Sequence, residues 1–333
     1  MNPKESALTL IRRQMLCFAA ATVAALAVPG TGAAQTYPNR PLRIIVAFPP
    51  GSSPDTVARI LGNKLTEQLA QPVIVDSRPG GSGVIAAEIA KSAPPDGYTL
   101  LLAGTTHFGL LPALKPKLPY DPDKDFVALS RVASVAQVVA VHPSLGAGSV
   151  ADLVKLAKAR PGQLNYGSAG NGSASHIASE MFNVLAGVKT VHVPYKGSVL
   201  ALNDLIAGQL QFIITSPVNA MPHWKTARIK VIATAGAKRD PLLPELPTVA
   251  DTVPGFESTQ WWGVAAPAKT PAVIVTRLHA EIVKAMQTPE VRELLAKQSV
   301  TAHAESPAEF TAFIKAERER IARVGRQVGI TLD

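Results

Sequence analysis

The stretch "LRIIVAFPPGSSPDTVARILGNKLTEQL", residues 42–69, decides the fold. Leu42 to Phe48 is a short apolar run rich in β-branched residues, which reads as a buried strand, and Pro49-Pro50-Gly51 stops it. From Asp55 onward Val57, Leu61, Leu65 and Leu69 fall four apart, so they share one helical face. Ser53 is the expected N-cap, with Pro54 at the first helical position, where the missing proline N–H leaves no hydrogen bond unmade. Strand, tight turn and helix together make the building unit of an α/β sheet.

The unit recurs along the chain. Val73 to Asp76 reads as a second strand, and "RPGGSGVIAAEIAK" is a glycine turn opening a helix at Val84. Tyr98 to Ala103 is a third strand, with a helix expected from Thr105 to Leu114. Three such units imply a parallel sheet with helices on its faces. A second series begins at Gln137 to His142. It continues as helix Ala151 to Ala159, strand Leu164 to Gly167, helix Ser173 to Leu185, strand Thr190 to Val193, helix Val199 to Ala207, and strands Leu210 to Thr215 and Ile229 to Thr234. "STQWWGVAAP" then returns as an extended segment, and three helical patterns finish the chain, the last from Pro307 to Val328. A helical tail without a sheet of its own is expected to pack on the first domain, so the chain crosses between domains near Ala136 and near Pro254. The expected division is residues 35–136 plus 255–333 for one lobe and 137–254 for the other.

Residues 1–34 read as an export signal. Lys4, Arg12 and Arg13 precede an apolar stretch from Met15 to Val28, and small residues Thr31 to Ala34 form the exit, with cleavage expected after Ala34. The apolar run falls short of the roughly 20 residues that a membrane span needs. The Arg12-Arg13 pair leaves a twin-arginine route open beside the general secretory one. The only cysteine, Cys17, lies inside this segment, so the mature chain has no thiol for a disulfide, a metal or covalent catalysis, and a bacterial periplasmic location is expected. Losing Lys4, Arg12, Arg13 and Glu5 takes the formal charge from +9 to +7. That balance favours anionic ligands. Basic residues are scattered rather than run together with aromatics, which argues against nucleic acid.

The densest motif is "NYGSAGNGSASH", residues 165–176. As a dinucleotide fingerprint it fails: Ser175 stands where the third glycine belongs, and the next strand, "TVHVPYKG", ends without the acid that would hold a ribose. As a nucleophile elbow it lacks the upstream glycine around both Ser168 and Ser173. Ser173 and His176 still share a helical face, so a secreted serine hydrolase stays open as the rival class, with His176 read by preference as a polar helix-face residue. The seven histidines have no metal-ligand spacing, and no metal or cofactor is expected. Trp261-Trp262 could stack on a ligand, but at alternating strand positions one is expected in the core. What remains is shared by three turns, "PPGSSPD" (49–55), "AGTTH" (103–107) and "GSAGNGS" (167–173). Each follows a strand and opens a helix, so each offers N–H groups and hydroxyls at the positive end of a helix dipole, the chemistry of an anion site.

At these residues the sequence resembles the extracytoplasmic solute receptors of tripartite tricarboxylate transporters, the Bug receptors. The matching blocks are "YPNRPLRIIVAFPPG" with the following Asp and "VAR" (37–59), "RPGGSGVIAAEIAKSAPPDGYTLL" (78–101), "LPYDPDKDF" (118–126), "PGQLNYGSAGNGSASHIASE" (161–180), "VHVPYKG" (191–197), "LPELPTVAD" and "WWGVAAPAKTP". The resemblance implies a two-lobed periplasmic-binding-protein (flytrap) fold of two Rossmann-like α/β domains joined by two hinge crossovers. It further implies a monomer that captures a di- or tricarboxylate, or an aromatic carboxylate, and delivers it to membrane transporter subunits. A ligand-sensing receptor for a signalling partner is the third possibility. Carried onto this chain, one carboxylate is gripped between Pro50, Gly51, Ser52, Ser53 and Asp55 of the first lobe and Ser168, Ala169, Gly170, Asn171, Gly172 and Ser173 of the second, with Thr105, Thr106 and His107 lining the cleft. Asp55 is expected to fix its loop through N–H groups, because it would repel an anion. Two departures stand out. Ser52 follows Gly51 where the family usually has a second glycine, and Gln211 stands where an acid is common, which is expected to alter the far side of the pocket.

Overall fold

In the computed structural model, Leu42–Val46 forms strand β1, with Leu42, Ile44, Ile45 and Val46 fully buried. It pairs in parallel with β2 (Val73–Ser77) on one side and β3 (Thr99–Gly104) on the other. Helix α1 (Ser53–Leu69) buries Val57, Leu61, Leu65 and Leu69, the face expected from their spacing. Its N-cap is Ser52 rather than Ser53, with φ −73° and ψ 161°. The Ser52 hydroxyl donates to Pro49 O at 2.6 Å, and the helix begins without a side-chain cap hydrogen bond. Helix α2 (Val84–Lys91) opens at Val84, as expected.

The structure describes residues 37–115 and 117–328 of the 333; the expected export signal lies outside them. Residues 40–333 form one unit, and of the unit before it, Met1–Asn39, residues 37–39 are described. Among the described residues no helix is long and apolar enough to cross a membrane.

The first sheet has six strands in the order β11-β4-β10-β3-β1-β2. β1, β2 and β3 are parallel, as the three units imply, and antiparallel strands extend the sheet beyond them. β10 (Thr259–Pro267) runs antiparallel between β3 and β4 (Phe126–Ala136), and the short β11 (Thr301–Ala302) closes the edge. β4 was not foreseen. Its pairing with β10 shifts register between Trp262 and Gly263 and again between Val264 and Ala265, and such irregularities break the two-residue alternation that marks a strand in sequence. Gly263 sits where this strand passes under α10 (Pro307–Val328): a Cβ there would meet the Phe310 ring and lie 2.8 Å from Ser130 O.

The second sheet has five strands in the order β7-β6-β8-β5-β9. β6 (Asn165–Ser168) is parallel to β7 (Val191–Pro194) and β8 (Phe212–Thr215), while the wholly buried β5 (Val138–Val141) runs antiparallel between β8 and β9 (Lys230–Thr234). Between them run α4 (Val150–Ala159), α5 (Ala174–Ala186), α6 (Ser198–Ile206) and α7 (Pro217–Lys225). α7 was also unforeseen; it has prolines at its second-sheet end and at Pro222, which hide a helix from a periodicity reading.

Chain passage between the sheets is tied together by backbone hydrogen bonds. Gln137 N–H donates to Ser258 O at 3.0 Å, Ser258 N–H to Ala235 O at 2.7 Å, and Ala235 N–H to Gln137 O at 2.6 Å. The outgoing and returning strands are thus stitched at one point. Helices α8 (Ala272–Gln287) and α9 (Pro289–Ala296) cover the first sheet. α10 does more than the expected packing on that sheet. Phe310 meets Trp261 edge-on at 5.7 Å between ring centres, while Ile321, further along, joins the cluster of Ile177, Met181 and Phe182 from α5.

Candidate functional site

In the first lobe, the loop between β1 and α1 is held by Asp55. Gly51, at φ +78°, donates its N–H to the carboxylate at 2.9 Å, Ser77 Oγ donates at 3.1 Å, and Arg59 Nε at 2.8 Å. Burial works to raise the Asp55 pKa, but the Arg59 and Gly51 hydrogen bonds outweigh it and hold the carboxyl below its ordinary range. Asp55 therefore shapes the loop, and the loop presents Ser53, whose buried Oγ has no hydrogen-bond partner.

After β3 the chain makes one π-helical turn, Thr105–Leu110, before α3 (Leu111–Leu114). Trp261 N–H donates to Thr105 Oγ1 at 2.8 Å, pinning the turn to β10. His107 is buried, with Nε2 3.2 Å from Leu102 O, the geometry of an Nε2–H donor. Burial pushes its pKa down to about 4, so the ring is neutral at physiological pH and Nδ1 is left as a buried acceptor without a partner.

In the second lobe, the loop between β6 and α5 is held by neutral groups. Ser168 Oγ lies 2.6 Å from His192 Nε2 and accepts Gly170 N–H at 3.1 Å. His176 Nδ1 accepts Gly172 N–H at 3.1 Å, and Ser175 Oγ accepts Ala169 N–H at 2.9 Å. The His176 and His192 rings stack at 4.1 Å, and Tyr166 stacks on the other side of His192 at 4.9 Å. Ser173 caps α5 by accepting the backbone N–H of His176 at 3.3 Å. Ser173 Oγ also lies 3.1 Å from Ser175 Oγ, and His176 Nδ1 is engaged by Gly172 N–H. Both side chains are thus used to hold the loop and the start of α5.

A second turn of the same kind, missed in the sequence, follows β8. Ser216 caps α7 by accepting Val218 N–H at 3.3 Å, and Asn219 Nδ2 donates to Ser198 Oγ at 2.9 Å. Just before it, the buried Thr215 Oγ1 has no partner; nor does Nε2 of Gln137, which sits at the strand crossover with its Oε1 accepting Ser258 Oγ at 2.5 Å.

These pieces line a cavity between the two sheets. The starts of four helices reach it: α1 through Ser52 and Ser53, α5 through Ser173 to Ser175, α6 through Ser198, and α7 through Ser216 and Asn219. Among the described residues no Asp, Glu, Lys or Arg lines it. Its field comes from aligned backbone dipoles, each equivalent to about half a positive charge at the helix start. The unpartnered Ser53 Oγ, Gln137 Nε2 and Thr215 Oγ1 come from the first lobe, the crossover and the second lobe. Buried polar groups without partners are rare in native proteins because they cost stability, and a cavity whose lining residues carry three such donors, beside the unpartnered acceptor Nδ1 of His107, is built for a guest.

Of the residues singled out from the sequence, Ser52, Ser53, Thr105, Thr106, His107, Ala169 and Ser173 line this cavity. Ala169, Gly170, Asn171 and Gly172 border an outer recess, which shares Ala47, Phe48 and Ala169 with the inner cavity. Pro50, Gly51, Asp55 and Ser168 border neither; Gly51, Asp55 and Ser168 act within the loops that carry the lining residues. Gln211 also borders neither. Its Oε1 accepts Asn165 N–H at 2.7 Å at the far end of β6, so the expected effect on the pocket is replaced by a strand contact. Trp261 is core and Trp262 lines the cavity, which divides the two readings of the pair between its members. The additional lining residues Gln137, Thr215, Ser216, Asn219 and Gln260 had one legible signal: "TSPVN" (215–219) repeats the Ser-Pro helix opening of "SSPD".

Two α/β lobes around a polar cavity define the solute-binding class of fold. The match to a family-wide sequence pattern described as "Tripartite tricarboxylate transporter family receptor" covers residues 57–330, and the chain belongs to that family. It is 34% identical to Protein BugT of Bordetella pertussis over 314 residues, spanning 93% of this chain and 96% of that one. Among solved structures it is similar to Rpa4515 of R. palustris with adipate, at 33% identity and a TM-score of 0.86, covering 89% of this chain and 99% of that one. It is also similar to MatC of Rhodopseudomonas palustris with bound malate, at 29% identity and a TM-score of 0.82, covering 86% and 99%.

Proposed function

We infer that this protein is a periplasmic solute receptor that closes on a small carboxylate between its lobes and passes it to the membrane subunits of a tripartite tricarboxylate-type transporter. The lobes are taken as residues 35–136 with 255–333, and 137–254, the leader 1–34 being removed on export. The observation that carries this reading is the inner cavity. It is free of charged side chains, it is ringed by four helix starts, and it holds three buried donors with nothing to donate to. A carboxylate supplies the acceptors and the negative charge that such a cavity lacks. The relatives that hold adipate and malate support the same ligand class.

The residues assigned to the ligand are Ser52, Ser53, Thr105, Thr106, His107, Ala169 and Ser173, together with Gln137, Thr215, Ser216 and Asn219. Pro50, Gly51, Asp55, Ser168, Gly170, Asn171 and Gly172 are assigned to the framework of the two loops. Binding does the work, with no chemical step: ligand contacts to both lobes favour the closed form, which the transporter subunits would read. A thermal-shift screen of the mature protein against mono-, di- and tricarboxylates, amino acids and sugars tests it. A ligand that binds only the folded state raises the melting temperature. The expected result is a rise with one or more carboxylates; a rise with amino acids or sugars alone contradicts the reading.

A further inference from the structure

Behind the cleft lies another cavity, and it too is walled by both lobes. Ile177, Ala178 and Met181 of α5 line it from the second lobe, and Ile321 and Val324 of α10 from the first. The chain crossover runs between the two spaces: Gln137 and Gln260 line the inner cavity in front, while Ser258 and Thr259 line the one behind. We propose that the contact of α5 with α10 is a counterweight to closure of the cleft, so that Ile321 and Val324 set ligand affinity from outside the binding site.

This rests on the cleft being the ligand site and adds what opposes its closure. In the structure the lobes meet in front: Ser82 Oγ donates to Asn171 O at 2.5 Å, and a Cβ on Gly197 would lie 3.0 Å from Pro49 Cγ. Helix α5, 13 residues long, moves as one piece, with its capped start at Ser173 to Ser175 in the front cavity and Ile177 to Met181 at the back one. Helix α10 is anchored on the first sheet, where Phe310 and Phe313 meet Trp261 edge-on at 5.7 and 5.3 Å. With the crossover as pivot, parting the lobes in front swings α5 toward α10 behind. The back cavity then shuts, and the open form buries more apolar surface there than the closed form does. Closing reopens the gap, and ligand contacts have to offset the loss. Truncating the lining therefore weakens the open form more than the closed one. Enlarging it fills the gap in the closed form and collides in the open one. Both changes shift the balance the same way, toward closure.

Cleft width can be read directly, because the chain has no cysteine beyond Cys17. Spin labels at Glu88→Cys and Lys196→Cys, exposed positions on opposite lobes, report the separation by pulsed electron–electron resonance. The background carries wild-type lining, Ile321→Ala or Ala178→Leu, with Ile321→Val and Ala178→Val as milder versions if circular dichroism shows that either fails to fold. Without added ligand the wild type should populate mostly the longer distance. Both the smaller and the larger side chain should raise the short-distance fraction by about three- to tenfold, and the calorimetric affinity for adipate or malate should rise by the same factor, because apparent affinity scales with the closed fraction. A residue that merely supports the fold would lower affinity in both. A short-distance fraction that stays level or falls in either kind of variant overturns the counterweight, as does a wild type already held wholly at the short distance. If the distances shift as expected while neither acid binds, the counterweight stands and the carboxylate reading of the cleft is what fails.

Discussion

Two loops bring helix starts to the cavity, and they are held by opposite means. In the first lobe a buried carboxylate, Asp55, gathers Gly51, Ser77 and Arg59 around one negative charge. In the second lobe Ser168, Ser175 and the stacked His176 and His192 do the same job with neutral groups. Both arrangements leave the cavity itself uncharged: the acid of the first loop faces away from the guest, and the imidazoles of the second stay deprotonated. An anion site built on backbone dipoles needs its frame fixed, and the frame can be fixed by any chemistry that keeps negative charge off the lining.

The charged frame should be the more costly to remove. Asp55→Ala leaves the Gly51 N–H and the Ser77 hydroxyl without their acceptor at a buried site, and is expected to lower stability by about 2–3 kcal/mol and to abolish carboxylate binding. Urea unfolding and calorimetry check both. If the loop kept full affinity without Asp55, the contrast between the two frames would collapse.

Acid should discriminate the frames next. Burial holds His192 down at about 4, with the neighbouring His176 adding to the effect, and burial also lowers His176 against the pull of Glu180. Both rings bind protons more readily in the unfolded chain. Their contribution is complete above about pH 6.5 and is lost as pH falls toward about 4. Asp55, with its pKa lowered from 3.8, keeps its contribution through that window and loses it only at lower pH. Protonating His176 Nδ1 also removes the acceptor for Gly172 N–H. His192→Phe, which keeps an aromatic ring in the stack, should flatten the fall in melting temperature between pH 6.5 and 4. The fall should shrink without vanishing, because His107 and His303 are also held at about 4. An unchanged profile would show that the imidazole frame does not titrate with folding.

The smallest effect is expected at Ser52, where the sequence resemblance leads one to expect a second glycine. Ser52→Gly removes the hydroxyl bond to Pro49 O and adds backbone freedom, and should cost about 1 kcal/mol in chemical denaturation while weakening carboxylate binding less than Asp55→Ala does.

Much of this arrangement was legible in the sequence, because strand-turn-helix units announce themselves by period. The helix face of Val57, Leu61, Leu65 and Leu69, the α2 start at Val84 and the span of α10 all follow from pattern alone. β4 was not legible, since the register shifts opposite it erase alternation, and α7 was hidden by its prolines. The sequence brought forward the loops of the site but not its centre. Gln137 and Thr215 end or follow ordinary buried strands, and only three-dimensional packing reveals that their polar atoms have no partners. The division of α10 between Trp261 on one side and the α5 cluster on the other was likewise invisible, because an apolar stripe does not name its partner.

The central claim, that the cavity's unpartnered donors exist for a ligand, is tested most directly by Thr215→Val, which replaces a buried hydroxyl with a methyl of the same shape. Unfolding and carboxylate titration of the same preparation give both quantities. The ligand-free protein should be as stable as the wild type or more so by about 1 kcal/mol, since an unmet polar group has been removed, while affinity falls about tenfold or more. Unchanged affinity, or a loss of stability without ligand, would contradict it.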